Sequence, residues 1–221
     1  MSQDIKKTTH LQTQILHSDR WAGVVHSASH QPIYRSVQFS YDSAQGICDA
    51  FQGKSAGYTY ARSNNPTLTA LESQLTLLED GLETITFATG MGAIATAMLA
   101  LLQSSDHIVV SQYLFGNTTS LFNTFGLHGI EISYVDATNA ANVESALQDN
   151  TRMVFVETIA NPRTQIADLA GIGALCKARG ILFLVDNTMG TPALVQAKEY
   201  GAGLVMNSLS KALSGLSLPS V

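Results

Sequence analysis

From Pro66 onward the apolar positions of this chain alternate between two rhythms, and the alternation predicts the fold. Leu68, Leu71, Leu75 and Leu78 recur at helical spacing behind a proline suited to a first helical turn, and Gly81 closes the run. Thr84–Ala88 reads as a strand, and a helix is expected from about Gly90 to Leu102. The short apolar run His107–Ser111 is the next strand, followed by a helix from about Asn117. Ile130–Val135 alternates as a strand does, Asn142–Leu147 is helical, and Met153–Glu157 has the continuous apolar character of a buried strand. Asp168 is placed to cap a helix that ends at Gly180. Ile181–Val185 and Leu204–Met206 are two further apolar strands. Strands alternating with helices predict βαβ units, hence an α/β fold with a mostly parallel sheet covered on both faces.

Residues 1–64 break this rhythm. They are polar and aperiodic, with scattered aromatics (Tyr34, Phe39, Tyr41, Phe51, Tyr58, Tyr60) and no strong helical pattern. They read as an extended N-terminal arm of the kind that lies on a partner subunit.

Composition narrows the class. The chain has 221 residues, 45% hydrophobic and 13% charged, which suits one sizeable core with a flanking arm. The net charge of −5, with no basic stripe, argues against nucleic acid as a partner. Two distant cysteines, Cys48 and Cys176, imply no disulfide framework and suit a reducing cytoplasm. No apolar signal segment is visible at the N-terminus, and Ala93–Leu102 is too short to span a bilayer. His26 and His30 are four apart but have no neighbouring carboxylate or thiolate, so no metal site is expected.

In a parallel α/β sheet, ligands sit beyond the carboxyl ends of the strands. Thr89, Gly90, Glu157, Asn161, Asp186, Ser208 and Lys211 all fall there. Each has a plainer reading. Thr89-Gly90-Met91-Gly92 is either a tight turn or an anion-binding helix start. Asp186 could be a cap, Asn161 a turn residue before Pro162, Phe115 a core residue, Ser208 and Ser210 turn hydroxyls, and Lys211 a solvated surface lysine. Taken together they suit pyridoxal phosphate (PLP): a lysine to hold it, a carboxylate for its ring nitrogen, and hydroxyls for its phosphate. Gly90–Ala95 also matches the dinucleotide pattern G-x-G-x-x-A, but the following strand ends Val110-Ser111-Gln112, without the acid that would hold a ribose.

An ordered set of motifs goes further. Gly57–Thr67 (GYTYARSNNPT), Ala88–Ile94 (ATGMGAI), Leu114–Thr118 (LFGNT), Val156–Pro162 (VETIANP), Val185–Thr188 (VDNT) and Asn207–Lys211 (NSLSK) run nearly the length of the chain. In these the chain resembles the Cys/Met-metabolism PLP enzymes, the family of cystathionine γ-synthase, the cystathionine lyases, methionine γ-lyase and the homoserine-ester sulfhydrylases. The resemblance implies an aspartate aminotransferase-like, fold type I large domain over residues 65–221. It implies that Lys211 is the Schiff-base lysine, Asp186 the pyridinium partner and Asn161 the partner of the cofactor's O3′. Gly90, Met91, Ser208 and Ser210 are the implied phosphate contacts. Tyr60 and Arg62 match the arm motif that reaches the phosphate of a neighbouring subunit's cofactor, which implies a homo-oligomer, typically a tetramer of tight dimers. The stacking position, usually tyrosine, is Phe115, which keeps the ring, loses the hydroxyl and shades toward the sulfhydrylases.

The implied substrate is an amino acid, and the implied chemistry is γ-replacement with a thiol or sulfide, or γ-elimination, at a homoserine ester or related sulfur amino acid. After the lysine the family continues with a glycine-histidine or glycine-glycine segment and a C-terminal domain bearing the arginine that grips the substrate carboxylate. Here Ala212–Val221 follows, with Gly215 fitting but without that run. The large domain is therefore expected to be incomplete and the C-terminal domain absent. The alternative expectation is an inactive homologue that retains at most weak PLP binding.

Overall fold

The structure, a computed structural model, describes residues 10–20 and 24–214. Residues 1–9 of the expected arm and the Gly215 position lie outside the described residues. The chain divides into two compact units, with the boundary between Thr86 and Phe87.

The first unit carries α1 (Leu11–His17), α2 (Ala44–Phe51) and α3 (Pro66–Leu78). α3 is the helix expected from the leucine spacing behind Pro66, whereas the aperiodic segment before it did not announce α1 and α2. The expectation of a segment without helices is corrected for α1 and α2, and the reason is local. Ala44, Ile47, Cys48 and Phe51 of α2 do recur at helical spacing, but over two turns only, and its start is set by its cap, since Ser43 Oγ accepts from the Gly46 N–H at 3.1 Å. α1 has no side-chain cap and packs on α3, where Gln74 Nε2 donates to the Ile15 carbonyl at 2.9 Å. Asn65 caps α3 ahead of Pro66, and Tyr34 is tied to the same point through the Thr67 hydroxyl at 2.8 Å. Within α3, Leu75 and Leu78 are buried while Leu68 is exposed.

The strand expected at Thr84–Ala88 is not part of the described sheet. The Thr86 N–H and hydroxyl go instead to the Glu72 carboxylate, at 3.0 and 2.8 Å. A side chain thus takes the place that a ladder partner would fill.

The second unit is the α/β body. It contains α4 (Gly90–Leu101), β1 (His107–Ser111), α5 (Gly116–Leu127), β2 (Glu131–Val135), α6 (Ala140–Ser145), β3 (Thr151–Glu157), α7 (Leu169–Arg179), β4 (Leu182–Asp186), α8 (Thr191–Leu194) and β5 (Leu204–Met206). Strand positions match the apolar runs within two residues. α6 starts two residues earlier than its apolar pattern suggested, because Asn139 accepts from the Ala141 N–H and caps it there. Asp168 and Gly180 bound α7 as expected, and Gly180 takes the left-handed conformation (φ 64°) that ends the helix.

Among the described residues these five strands form one sheet in the order β2-β1-β3-β4-β5, each paired parallel to its neighbour. The side-chain period of two sorts the core into two layers. Ile108, Val110, Met153, Phe155 and Leu184 pack with Ile94 and Met98 of α4 and Phe122 and Phe125 of α5. Val109, Val154, Val156, Phe183 and Val185 pack with Val143 of α6 and Leu169, Ile172 and Cys176 of α7. Since β2 and β3 lie on opposite sides of β1, the crevice beyond the ends of β1 and β3 is the topological switch point.

Phe155 and Phe122 are fully buried and meet edge-to-face with ring centroids 5.0 Å apart. Truncating Phe155 to alanine is expected to lower stability by about 3–5 kcal/mol, read as a shift in the urea unfolding midpoint. A shift well under 1 kcal/mol would contradict this packing.

Candidate functional site

Alternation carries through to the strand ends. Glu157, two residues beyond Phe155, and Asp186, two beyond Leu184, point to the α4/α5 face, and they are register partners on β3 and β4. Both carboxylates are buried, at 6% and 9% exposure.

Asp186 is held by an Asx turn, with Oδ1 accepting the Thr188 N–H at 2.9 Å. The Thr188 hydroxyl in turn accepts the Ser208 N–H at 2.8 Å. Thr188 therefore couples the end of β4 to the loop after β5. In that loop the hydroxyls of Ser208 and Ser210 stand 3.2 Å apart, and the Lys211 ammonium, itself exposed, donates to Ser210 Oγ at 3.1 Å.

The N-terminus of α4 meets the same loop. A Cβ at Gly90 would lie 3.0 Å from Met206 Cε and 3.2 Å from Ser208 Cβ, so any other residue would push this loop away by a few tenths of an ångström. Within the first turn, Thr89 Oγ1 accepts from the Gly92 N–H at 2.9 Å, and the Ala93 N–H bonds the Thr89 carbonyl at 3.0 Å. Among the described residues the Gly90 and Met91 N–H groups meet no acceptor, which leaves them for an outside one. With the two hydroxyls and the lysine they form a donor set suited to a phosphate.

On the other side of Asp186, Glu157 grips two loops. Its Oε1 accepts the Phe115 N–H at 2.6 Å and its Oε2 accepts the Asn161 N–H at 3.3 Å. Phe115 is 45% exposed at the start of α5, and Asn161, exposed and joined to Pro162 by a cis peptide, lines a cavity of about 380 Å³ with Gln112, Tyr113, Leu114 and Arg163. This cavity lies at the switch point between the loops after β1 and β3.

Burial dominates the electrostatics of the two acids. It pushes the Glu157 carboxyl up to about 7, and the neighbouring Asp186 charge pushes the same way against two backbone N–H bonds that oppose it. Burial also raises Asp186, against its hydrogen bonds from Thr188.

The structure thus brings Gly90, Met91, Ser208, Ser210 and Lys211 together and links them to Asp186 through Thr188. Phe115 and Asn161 are brought to Glu157. Tyr60 and Arg62 belong to the first unit, where the Arg62 guanidinium sits 4.8 Å from the Tyr60 ring centroid. Sequence reasoning gave no role to Thr188 or to the grip of Glu157. The Asp-x-Thr spacing of an Asx turn could have pointed to the first; no local signal could have shown the second, whose partner Phe115 is 42 residues away.

The fit to pyridoxal phosphate is matched by comparison with known proteins. Residues 12–218 match the family described as Cys/Met metabolism PLP-dependent enzyme. The chain belongs to that family. Its cofactor is pyridoxal 5′-phosphate. Among its relatives are an L-methionine gamma-lyase of Fusobacterium nucleatum, 38% identical over 83% of this chain, and an O-acetyl-L-homoserine sulfhydrylase of Corynebacterium glutamicum, 35% identical over 92% of it. Each alignment covers 47% of the relative, so the chain spans about half the length of these proteins. In structure it is similar to a Campylobacter jejuni protein assigned as an O-acetylhomoserine (thiol)-lyase, with a TM-score of 0.88 and 29% identity over 96% of this chain and 52% of that one. That neighbour carries a pyridoxyl-lysine-phosphate. The parallel α/β sheet is therefore the PLP-dependent fold expected from the motifs, whereas the N-terminal arm has no such support. Among the described residues no helix is long and apolar enough to cross a membrane.

The raised Glu157 group makes stability depend on pH in a definite direction. Between pH 4.5, its ordinary value, and about 7, the unfolded chain has released a proton that the folded chain keeps. Stability from this group therefore falls as pH rises through that window and is level above it. The expected loss is about 3 kcal/mol for the cofactor-free protein, and Glu157→Gln should remove that slope. Urea unfolding of both proteins at pH 4.5, 6 and 7.5 measures it; identical slopes would show that Glu157 titrates normally.

Proposed function

We propose that this chain carries the cofactor site of a trans-sulfuration enzyme acting at the γ-carbon of a homoserine ester or related sulfur amino acid, by replacement with a thiol or sulfide or by elimination. One observation carries the reading. A buried carboxylate, Asp186, is tied through Thr188 to a loop whose two hydroxyls and lysine meet the open N–H groups of a helix start. The relatives include both lyases and sulfhydrylases, which supports the reaction class at this level.

The residues divide the work. The Gly90 and Met91 N–H groups and the Ser208 and Ser210 hydroxyls bind the phosphate of the cofactor. Asp186 would pair with its ring nitrogen. Burial alone leaves Asp186 inclined to hold a proton, and a cationic ring nitrogen beside it would draw it to the ionised form. Phe115 would supply an apolar face for the ring and the Asn161 amide a donor for the phenolic oxygen. Lys211 would hold the cofactor covalently and, with its amine free, would move the proton at the substrate Cα. When bound, the cofactor supplies an electron sink for the carbanion formed at that carbon.

Tyr60 and Arg62 belong to the same reading. The guanidinium fork suits a phosphate, and the two residues serve the site of a neighbouring subunit in a homo-oligomer, a tetramer of dimers. Cys48 and Cys176 are free thiols, which supports a cytoplasmic setting.

Adding PLP to the purified protein is expected to give a visible absorbance band, and borohydride reduction followed by peptide mass spectrometry should place the cofactor on Lys211. Lys211→Ala should lose the band and lower kcat, for keto-acid release from L-methionine or for sulfide consumption with O-acetylhomoserine, by at least about 10²–10⁴-fold. No band in the parent, or attachment at another lysine, would refute the assignment.

A further inference from the structure

We propose that Glu157 is a positioning residue of this site, one carboxylate that sets the Phe115 ring and the Asn161 amide at a fixed separation across the cofactor. The proposal rests on the reading of Lys211 and Asp186 given above, and it concerns a residue to which neither that reading nor the relatives' names give a role.

The geometry carries it. Phe115 opens α5 after β1, while Asn161 lies in the loop after β3. Neither loop fixes the other through its own backbone. Glu157 does, with one oxygen on each N–H and at 6% exposure, so water competes poorly for either bond. Alternation and register place the carboxylate on the α4/α5 face beside Asp186. A buried acid next to another buried acid is an expensive choice for a purely structural tie, since a neutral side chain would avoid the repulsion. In its ionised form, reached above about pH 7, Glu157 has one property that neutral side chains of its size lack: two acceptor oxygens and no donor. An amide in its place must turn an N–H₂ toward one of the two backbone N–H groups, and that loop is released.

A side chain that only stabilised the fold would, when changed, alter melting temperature and cofactor occupancy while leaving each bound cofactor in the same surroundings. A positioning residue changes the surroundings. The test therefore compares full-length parent, Glu157→Gln and Glu157→Asp proteins by visible-band circular dichroism divided by bound cofactor, by PLP dissociation constant, and by deuterium uptake of cofactor-free protein across residues 112–116 and 160–164.

Glu157→Gln is expected to change the dichroism per bound cofactor, weaken PLP binding about tenfold and raise uptake in at least one of the two segments, with residues 107–111 unaffected. Glu157→Asp, which keeps the charge but withdraws it by one methylene, should fall between, and it decides the matter if the glutamine variant does not fold. Parent-like dichroism, affinity and uptake in a folded variant would overturn the proposal while the Lys211 assignment stood. A parent protein without a lysine-bound cofactor band would overturn both.

Discussion

The parallel pairing of β3 with β4, which sets Glu157 beside Asp186, is the constraint on which the rest of the site depends. In a parallel pair, register partners point to the same face, so two acids that end neighbouring strands must face one way together. Here they face the layer filled by α4 and α5, at the edge where the apolar core gives out. Asp186 is answered by Thr188 and through it by the loop bearing Ser208 and Lys211. Glu157 is answered by the Phe115 and Asn161 N–H groups. A slip of one residue in this pairing would turn one acid into the opposite layer and leave the loops on its side without their anchor.

That arrangement works against itself unless something cationic arrives. Burial makes both carboxyls resist ionisation, and the Asp186 charge adds to the cost of charging Glu157. Backbone N–H bonds offset part of that cost, since a bond to an ionised acceptor is stronger than a neutral one. The remainder is a standing preference for a proton or a positive charge at this edge, which a protonated ring nitrogen meets.

The sheet was legible in the sequence because its strands are buried on both sides and read as apolar runs. His107–Ser111 and Leu204–Met206 lie where those runs stand. Residues 10–64 were less legible than α3, because α1 and α2 are only two turns long and are fixed by packing on α3 and by the Ser43 cap. Thr84–Ala88 misled for the opposite reason. Its β-branched, apolar character is that of a strand, but a strand is a pairing, and the Thr86 N–H is taken by the Glu72 side chain. The candidate residues at the sheet edge could be named because each ends or follows a recognisable strand. How they hold one another could not, since Glu157 meets Phe115 and Thr188 meets Ser208 across distances in sequence that no local pattern spans.

Polarity along the edge also fixes which way a cofactor can lie. Around Gly90, Met91, Ser208, Ser210 and Lys211 the groups offered are donors: open N–H groups, hydroxyls and an ammonium. At Asp186 and Glu157 they are acceptors. A molecule with a phosphate at one end and a basic ring nitrogen at the other meets favourable groups at both ends in one orientation and unfavourable groups at both in the reverse. Each mismatch would set an anion against buried carboxylates or a cation against a helix N-terminus. Thr188 joins the two halves of this field, because its N–H serves the acid and its hydroxyl serves the loop bearing Ser208 and Ser210. Orientation is therefore settled by the order of polar groups along the strand ends, before any single contact with the ring is counted.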